Sequence, residues 1–240
     1  MYYHYPVALR LKGKVCLVVG GGQVAYRKVL SLLECGTKVK LVSPQLIEEL
    51  RQLVEKGKVI YFQRKFTEKD LDGVFLVIGA TDDRQVNSRI GELAQKRNLL
   101  VNIVDQPEDC NFIVPAIHRT GALTIAITTE GKSPALAGKI RRELAKYYPE
   151  VYGLALDWLG EIRSFVQTHL SDQRSRRKIL ISLASDLVEL LKKGQIHQAL
   201  ERVQLSLADI PESEKFIKEL MSKNKEWLEM RDYSEDHQNR

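Results

Sequence analysis

The glycine run Gly20-Gly21-Gly22 and the carboxylate of Asp105 are the residues whose types and placement suit redox chemistry. Gly20, Gly22 and Ala25 fit the pattern G-x-G-x-x-G/A. In that pattern the first glycine permits a tight turn, the second lets a pyrophosphate approach the backbone, and the small third residue lets a helix pack on a strand. Gly21, Gln23 and Val24 fill the intervening positions and count with the same cofactor-binding backbone. The helix N-terminus beyond them offers free N–H groups and partial positive charge to phosphates. The same glycines would also serve a turn that merely packs a helix on a sheet. Asp105 follows an apolar segment and could act as acid or base beside a nicotinamide ring, although an aspartate there also serves as a loop cap.

Two further stretches bear on the cofactor. Dinucleotide folds usually carry Asp or Glu about 20 residues after the glycines, to bind the ribose hydroxyls. Here that region reads "VKLVSPQ", with Ser43 and Pro44 near the position and Lys38 and Lys40 as nearby charges. NAD and NADP are not separated by this. Ser43 either bonds a ribose hydroxyl or phosphate, or is the N-cap of a helix opened by Pro44. In "GATDD", Gly79 to Asp83, Thr81 and Asp82 either touch cofactor, cap the next helix, or do both.

The elements that must position these residues alternate. Val15 to Val19 reads as a strand running into the glycines, and Val24, Ala25, Val29, Leu30, Leu32 and Leu33 have helical spacing. Then come a strand over Lys38 to Val42, a helix over Pro44 to Val54, and a strand over Lys58 to Phe62. A central strand over Val74 to Ala80 and a helix with Val86, Ile90, Leu93 and Ala94 on one face precede a strand over Leu99 to Val104. Alternating units with short connections predict an α/β fold with an N-terminal Rossmann-like parallel sheet.

After Asp105 the rhythm changes. "CNFIVPAI" and "GALTIAITTEG" read as strands joined by a turn over His118 to Gly121, and "SPALAGKIRRELAKYYP" as a helix with Ser133 as N-cap. Beyond Pro149 only helical periodicity remains, over about Val151 to Leu170, Arg174 to Lys193 and Gln195 to Leu207, with a charged helix from about Glu212 fraying into a disordered end. The division expected is 1–112 for the dinucleotide domain, 113–149 for a central α+β region, 150–220 for a helical C-terminal domain, and 221–240 for a charged tail.

The 44% hydrophobic and 28% charged composition of the 240 residues is that of an ordinary soluble protein, and no apolar run approaches bilayer length. With no signal-peptide pattern, the expected location is cytoplasmic, without a membrane partner. Cys16, Cys35 and Cys110 lack Cys-x-x-Cys spacing, so neither a disulfide framework nor a resident metal site is expected. The net charge of +6 suits either nucleic acid or a small polyanion. The basic run Arg174 to Lys178 reads as a solvated helix face, so no nucleic-acid partner is expected.

The blocks "VVGGGQVAYRKVLSLLECGTKV", "GATDDRQVN", "VNIVDQPEDCNFIVPAI" and "ALTIAITTEGKSPALAGKIRRELAKYYP" together resemble the precorrin-2 dehydrogenase and sirohydrochlorin ferrochelatase family, including the N-terminal part of siroheme synthase. The resemblance covers about Val7 to Pro149. It implies a Rossmann domain, a central dimerisation region, a helical C-terminal domain and a homodimer. It also implies NAD-dependent oxidation of precorrin-2 to sirohydrochlorin, with ferrous iron inserted by the same site in some relatives. The family's acid-base aspartate falls on Asp105, and Asn102 matches a nearby position that orients that carboxylate or the substrate. The substrate's acetate and propionate groups call for a basic site, drawn from Arg119, Lys132, Lys139, Arg141 and Arg142 with Thr129 and Ser133 beside them, although Lys139, Arg141 and Arg142 also have the spacing of a solvated helix face. His118 either assists metal insertion or is structural.

Two departures stand out. The family commonly has Ser-Ser-Gly-Gly or Ser-Thr-Gly-Gly where this chain has Thr128-Thr129-Glu130-Gly131, so Glu130 adds a negative charge near a site meant for an anion. The chain also ends without the methyltransferase domain of fused siroheme synthases, which implies precorrin-2 supplied by another protein. The contrasting reading is a non-catalytic NAD(H)-binding redox sensor, which needs the glycines but not Asp105.

Overall fold

The computed structural model describes residues 4–224, and these fall into two compact units. One comprises the chain up to Pro115 together with Glu130–Lys132, the other Ala116–Thr129 and the chain from Ser133 onward. The part of the expected charged tail beyond residue 224 lies outside the described residues.

The first unit holds a parallel sheet of β1 (Val15–Val19), β2 (Lys38–Val42), β3 (Val59–Phe62), β4 (Leu76–Gly79) and β5 (Leu100–Ile103), in the order β3-β2-β1-β4-β5. Its helices are α1 (Gln23–Glu34), α2 (Glu48–Glu55) and α3 (Arg84–Lys96). The strand order reverses at β1, whose last residue, Val19, lies opposite Val42 on one side and Gly79 on the other. β1 is apolar throughout because both of its faces are covered. Cys16 and Val18 pack with Ala25 and Val29 of α1, while Leu17 and Val19 pack with Ile90 and Ala94 of α3. Each large side chain so buried contributes about 1.5–3 kcal/mol. Burial, with Cys35 adding to it, pushes the Cys16 thiol up to about 11, so it packs as a neutral group.

The predicted helix from Pro44 starts later, at Glu48. Before it, the Ser43 hydroxyl donates to the Gln45 carbonyl at 2.7 Å and the Ile47 N–H donates to the Gly21 carbonyl at 3.0 Å. These bonds tie the connection to the glycine turn, so Ser43 is not an N-cap. α2 has no side-chain cap, and Glu48 and Glu49 in its first turn offset the helix dipole instead. α3 buries Asn87 and Gly91 with Ile90 and Ala94, rather than Val86 and Leu93, which are half-buried.

The second unit joins an antiparallel pair, β6 (Ala116–Thr120) and β7 (Leu123–Ile127), to α4 (Pro134–Tyr147), α5 (Val151–His169), α6 (Gln173–Lys192), α7 (Ile196–Leu207) and α8 (Ser213–Lys223). His118, Arg119 and Thr120 are strand residues, and the turn is shorter than predicted. "CNFIVP" is not a strand: Asn111 turns it back onto β5, donating its N–H to Val101 O at 3.1 Å and accepting from Val101 N at 2.8 Å. Ser133 caps α4 as predicted, accepting from the Leu136 N–H at 3.2 Å. The helical core centres on Trp158, Ile162, Leu183, Leu187, Val203 and Leu207. No helix of the described residues is long and apolar enough to cross a membrane.

Between β3 and β4, Asp70 of a short 3₁₀ turn is only 7% exposed. Its oxygens accept two bonds from Arg64, at 2.7 and 2.5 Å, and one from the Thr67 N–H at 2.8 Å. Burial alone would raise the Asp70 carboxyl, but these donors outweigh it and hold the group below its usual range. A depressed folded-state value adds stability above the unfolded carboxylate range, and that stability is lost as pH falls through the folded value. Asp70→Ala should therefore cost about 1–3 kcal/mol at pH 7. In urea unfolding, the gap to wild type should narrow as the pH is lowered below that range.

Candidate functional site

β1 delivers the chain to Gly20, whose φ of 126° is a left-handed conformation that favours glycine. A Cβ on Gly20 would collide with the Ala80 carbonyl oxygen and stand 2.6 Å from its carbon. A Cβ on Gly21 would collide with the Gln45 carbonyl oxygen and stand 2.7 Å from Ser43 Oγ. The loops that follow β1, β2 and β4 thus meet at two positions where no side chain fits. Gly22 differs: its φ of −94° is open to any residue, and a Cβ there would meet nothing within 4 Å. The protein's own packing explains the first two glycines and leaves the third for something that approaches from outside.

Gly22 is also the N-cap of α1, which has no side-chain cap and no acidic residue in its first turn. α3 and α4, by contrast, are capped by Asp83 and Ser133. Bare backbone, an uncapped helix start and its partial positive charge fit the pyrophosphate of a dinucleotide. Ala25, fully buried, lets α1 close onto the sheet. Gln23 donates its amide to Glu49 Oε1 at 2.9 Å, and Val24 is half-buried beside it.

Ser43 lies at the end of β2, 7% exposed, with its hydroxyl committed to Gln45 and its carbonyl receiving the Tyr61 hydroxyl at 2.9 Å. It props the β2 loop under Gly21, and Pro44 next to it is exposed. After β4 the helix cap is Asp83, which accepts from Gln85 and Val86 N–H, rather than Thr81 or Asp82. Thr81 instead donates its hydroxyl to Asn87 Oδ1 at 2.8 Å, and Asn87 returns its amide to the Thr81 carbonyl at 2.9 Å. Asp82 is left exposed at the tip. The buried Asn87 escapes a sequence reading because a polar residue on a helix face is indistinguishable there from a solvated one.

Asp105 stands exposed one turn past β5, at φ 59°. A non-glycine residue in that conformation is strained and is held by its neighbours. The Gln106 N–H reaches back to the Ile103 carbonyl at 3.4 Å. The Gln106 side chain, 4% exposed, donates to Ser88 Oγ at 2.8 Å and to Asp109 Oδ2 at 2.9 Å. Cys110 completes the clamp: Sγ accepts from the Ile103 N–H at 3.1 Å and lies 3.3 Å from the carbonyls of Ile103 and Gln106. Burial pushes the Cys110 thiol up, which keeps its proton in place as a donor. Cys110 is thus a hydrogen-bonding residue. Asn102 spends its amide on the Phe112 carbonyl at 3.2 Å, bracing the return segment.

Glycine turn, Ser43, Thr81, Asn102 and Asp105 all belong to the first unit, as does Lys132, which is exposed. Arg119, Thr129, Ser133 and Arg141 belong to the second. Thr129 accepts the Ser133 N–H at 3.1 Å, Arg119 donates Nε to Thr124 Oγ1 at 3.4 Å, and Arg141 is exposed. His118 lies in β6 with Nε2 donating to the Tyr148 carbonyl at 2.8 Å, a bond that ties the sheet to the end of α4.

Strand order, glycine turn and uncapped helix together define a dinucleotide-binding Rossmann domain. Residues 7–116 match the family described as "Putative NAD(P)-binding", and residues 120–147 match the family described as "Sirohaem biosynthesis protein central". The siroheme synthase of Photorhabdus laumondii is 38% identical over 205 residues, which is 85% of this chain and 44% of that protein. The siroheme synthase of Acinetobacter baylyi is 36% identical over 207 residues, 85% of this chain and 45% of that protein. The chain thus spans less than half the length of these relatives. Among solved structures, SirC, a precorrin-2 dehydrogenase, superposes with a TM-score of 0.67 at 29% identity, covering 91% of this chain and 100% of that one. The chain thus carries a match to an NAD(P)-binding domain followed by a match to the sirohaem central segment.

The three glycines should respond differently to a methyl group. Gly21→Ala should destabilise the fold by about 2–4 kcal/mol, because a backbone carbonyl must move. Gly22→Ala should cost no more than about 1 kcal/mol, the difference between Gly and Ala at an N-cap. Titration calorimetry should nonetheless show Gly22→Ala weakening dinucleotide binding by about tenfold or more, since a side chain would fill the phosphate's approach.

Proposed function

We propose that the protein oxidises precorrin-2 to sirohydrochlorin with NAD, in the synthesis of sirohaem. The observation that carries this reading is the pairing, at one edge of one sheet, of an unexplained Gly22 with a strained, exposed Asp105. The name of the SirC match, a precorrin-2 dehydrogenase, and the names of the siroheme synthases support the substrate. Gly20–Gly22 and the start of α1 would hold the pyrophosphate, with the loops at Ser43–Pro44 and Thr81–Asp82 around the rest of the dinucleotide. Bound NAD supplies the hydride acceptor, so that precorrin-2 and NAD⁺ give sirohydrochlorin, NADH and one proton. Asp105 takes up that proton, and the clamp of Gln106 and Cys110 holds its carboxylate where the turn presents it. The same carboxylate is suited to accept the pyrrole protons that ferrous iron displaces, which extends the reading to iron insertion.

NAD rather than NADP is supported by what lies beyond β2 and β3. The 2′-phosphate of NADP is met by an arginine in folds of this kind. Arg64, just past the end of β3, is bound through both terminal nitrogens to Asp70. Calorimetry should therefore show a preference for NAD of at least about tenfold.

Of the residues proposed to meet the substrate's carboxylates, Lys132 lies in the first unit, where Asn102 braces the return segment, and Arg119 and Arg141 lie in the second, where Thr129 holds the Ser133 N–H. A homodimer through the second unit is supported by α4, a helix of 14 residues that buries only Ala137 and leaves Leu136 48% and Tyr147 69% exposed. Leu136→Glu should shift the sedimentation of the protein from dimer to monomer. Three free thiols suit a cytoplasmic setting.

Asp105→Asn tests the assigned carboxylate, since asparagine tolerates the left-handed conformation better than alanine does. Under anaerobic conditions kcat for precorrin-2 should fall by about 10²–10⁴ while the NAD affinity stays within twofold. Full activity in this variant would remove Asp105 from the reaction. Tight NAD binding by a wild type with no turnover would instead favour a redox sensor.

A further inference from the structure

The ends of β2 and β3 meet at one carbonyl. The Phe62 oxygen accepts from the Ser43 N–H at 3.3 Å and from the Arg64 N–H at 2.9 Å, so the backbones of Ser43 and Arg64 stand side by side. The Tyr61 hydroxyl, bonded to the Ser43 carbonyl at 2.9 Å, fastens the same two strands. Ser43 occupies the place, about 20 residues past the glycines, where dinucleotide folds meet the adenosine ribose. Arg64 is therefore an arginine rooted next to the ribose position, and its side chain is already engaged. The guanidinium carbon lies 5.3 Å from the centre of the Phe62 ring, and Nη1 donates to the Lys65 carbonyl at 3.1 Å. Nη1 and Nη2 also reach the two oxygens of Asp70, at 2.7 and 2.5 Å.

Asp70 is built to keep that arginine. Its side chain is 6% exposed, and the Thr67 N–H and hydroxyl donate to Oδ2 at 2.8 and 3.2 Å, which fixes the carboxylate independently of Arg64. Burial raises the Asp70 carboxyl, but the donors outweigh it and the group stays charged at neutral pH. The guanidinium is charged at any working pH. A buried carboxylate in a two-bond pair holds its partner, because separation would leave its charge uncompensated. We infer that Asp70 is the residue that determines which dinucleotide is accepted: by engaging Arg64 it withdraws the cation that a 2′-phosphate needs, and the site is left for NAD. This rests on the reading above, in which the glycine turn and the Ser43 loop hold a dinucleotide. Burial raises the Tyr61 hydroxyl and the charge of Arg51 opposes it, so Arg51 of α2 is a second arginine in this neighbourhood. A variant lacking Arg64 separates the two.

Titration calorimetry of NAD and NADP against the full chain tests this without any turnover. Asp70→Asn removes the charge and keeps an oxygen that accepts from Thr67. In that variant Kd for NADP should tighten about tenfold or more, the worth of a charge-assisted bond, while Kd for NAD stays within about threefold. In Arg64→Gln/Asp70→Asn the gain should vanish. An unchanged NADP affinity in an Asp70→Asn protein that binds NAD normally would overturn the inference. So would a gain that survives the loss of Arg64, since Arg51 or another cation would then carry it. A second measurement uses the wild type alone and decides the matter even where Asp70→Asn fails to fold. The guanidinium proton–nitrogen NMR signals of Arg64 should keep their positions when NADP is added in excess, and signals that move with NADP but not with NAD would overturn the inference. A wild type that binds neither dinucleotide would overturn the cofactor reading itself, and the inference with it.

Discussion

The carbonyl oxygens of Ala80 and Gln45 occupy the space into which side chains at Gly20 and Gly21 would grow. That crowding is the constraint on which the carboxyl edge of the sheet depends. It lets the loops after β1, β2 and β4 close on one another at the point where the strand order reverses, and open α/β sheets bind their ligands at such a point. Each loop is then secured by its own bonds: Ile47 to Gly21, Ser43 to Gln45, and Thr81 to Asn87. The first two glycines belong to the protein. The third faces outward from an uncapped helix, and a phosphate group is what such a surface accommodates.

The acidic residue depends on a different economy. Asp105 makes no regular structure of its own, and its left-handed backbone would relax if the surrounding chain let it. The chain does not, because the residue after it is buried and bonded to Ser88 and Asp109, and because the Cys110 thiol sits between the amide and carbonyl of Ile103 and the carbonyl of Gln106. An exposed carboxylate on such a base is preorganised, because its backbone is already fixed in one conformation. Burial keeps Cys110 protonated, so the clamp holds through a neutral donor rather than a charge.

Much of this was legible in the residues. Val15–Val19 had to be central because it is apolar on both faces, and the alternation that follows it dictates a parallel sheet. Ser133 announced α4 because a serine before a proline both caps and starts a helix. Ser43-Pro44 carried the same signal and misled, because the Gly21 carbonyl, distant in sequence, claims the Ile47 N–H and delays α2. Asp83 displaced Thr81 and Asp82 as the cap by two positions and one, a difference decided by backbone geometry that composition does not encode. Cys110, Gln106 and Asn87 could not be read at all, since what makes each of them matter is a partner brought near only by the fold.

The most direct measurement is an anaerobic single turnover of freshly prepared precorrin-2 by the wild-type protein with NAD, following NADH and sirohydrochlorin together. The account predicts that both appear at the same rate and in a ratio of one to one. NAD bound but not reduced, while precorrin-2 persists unchanged, would contradict it.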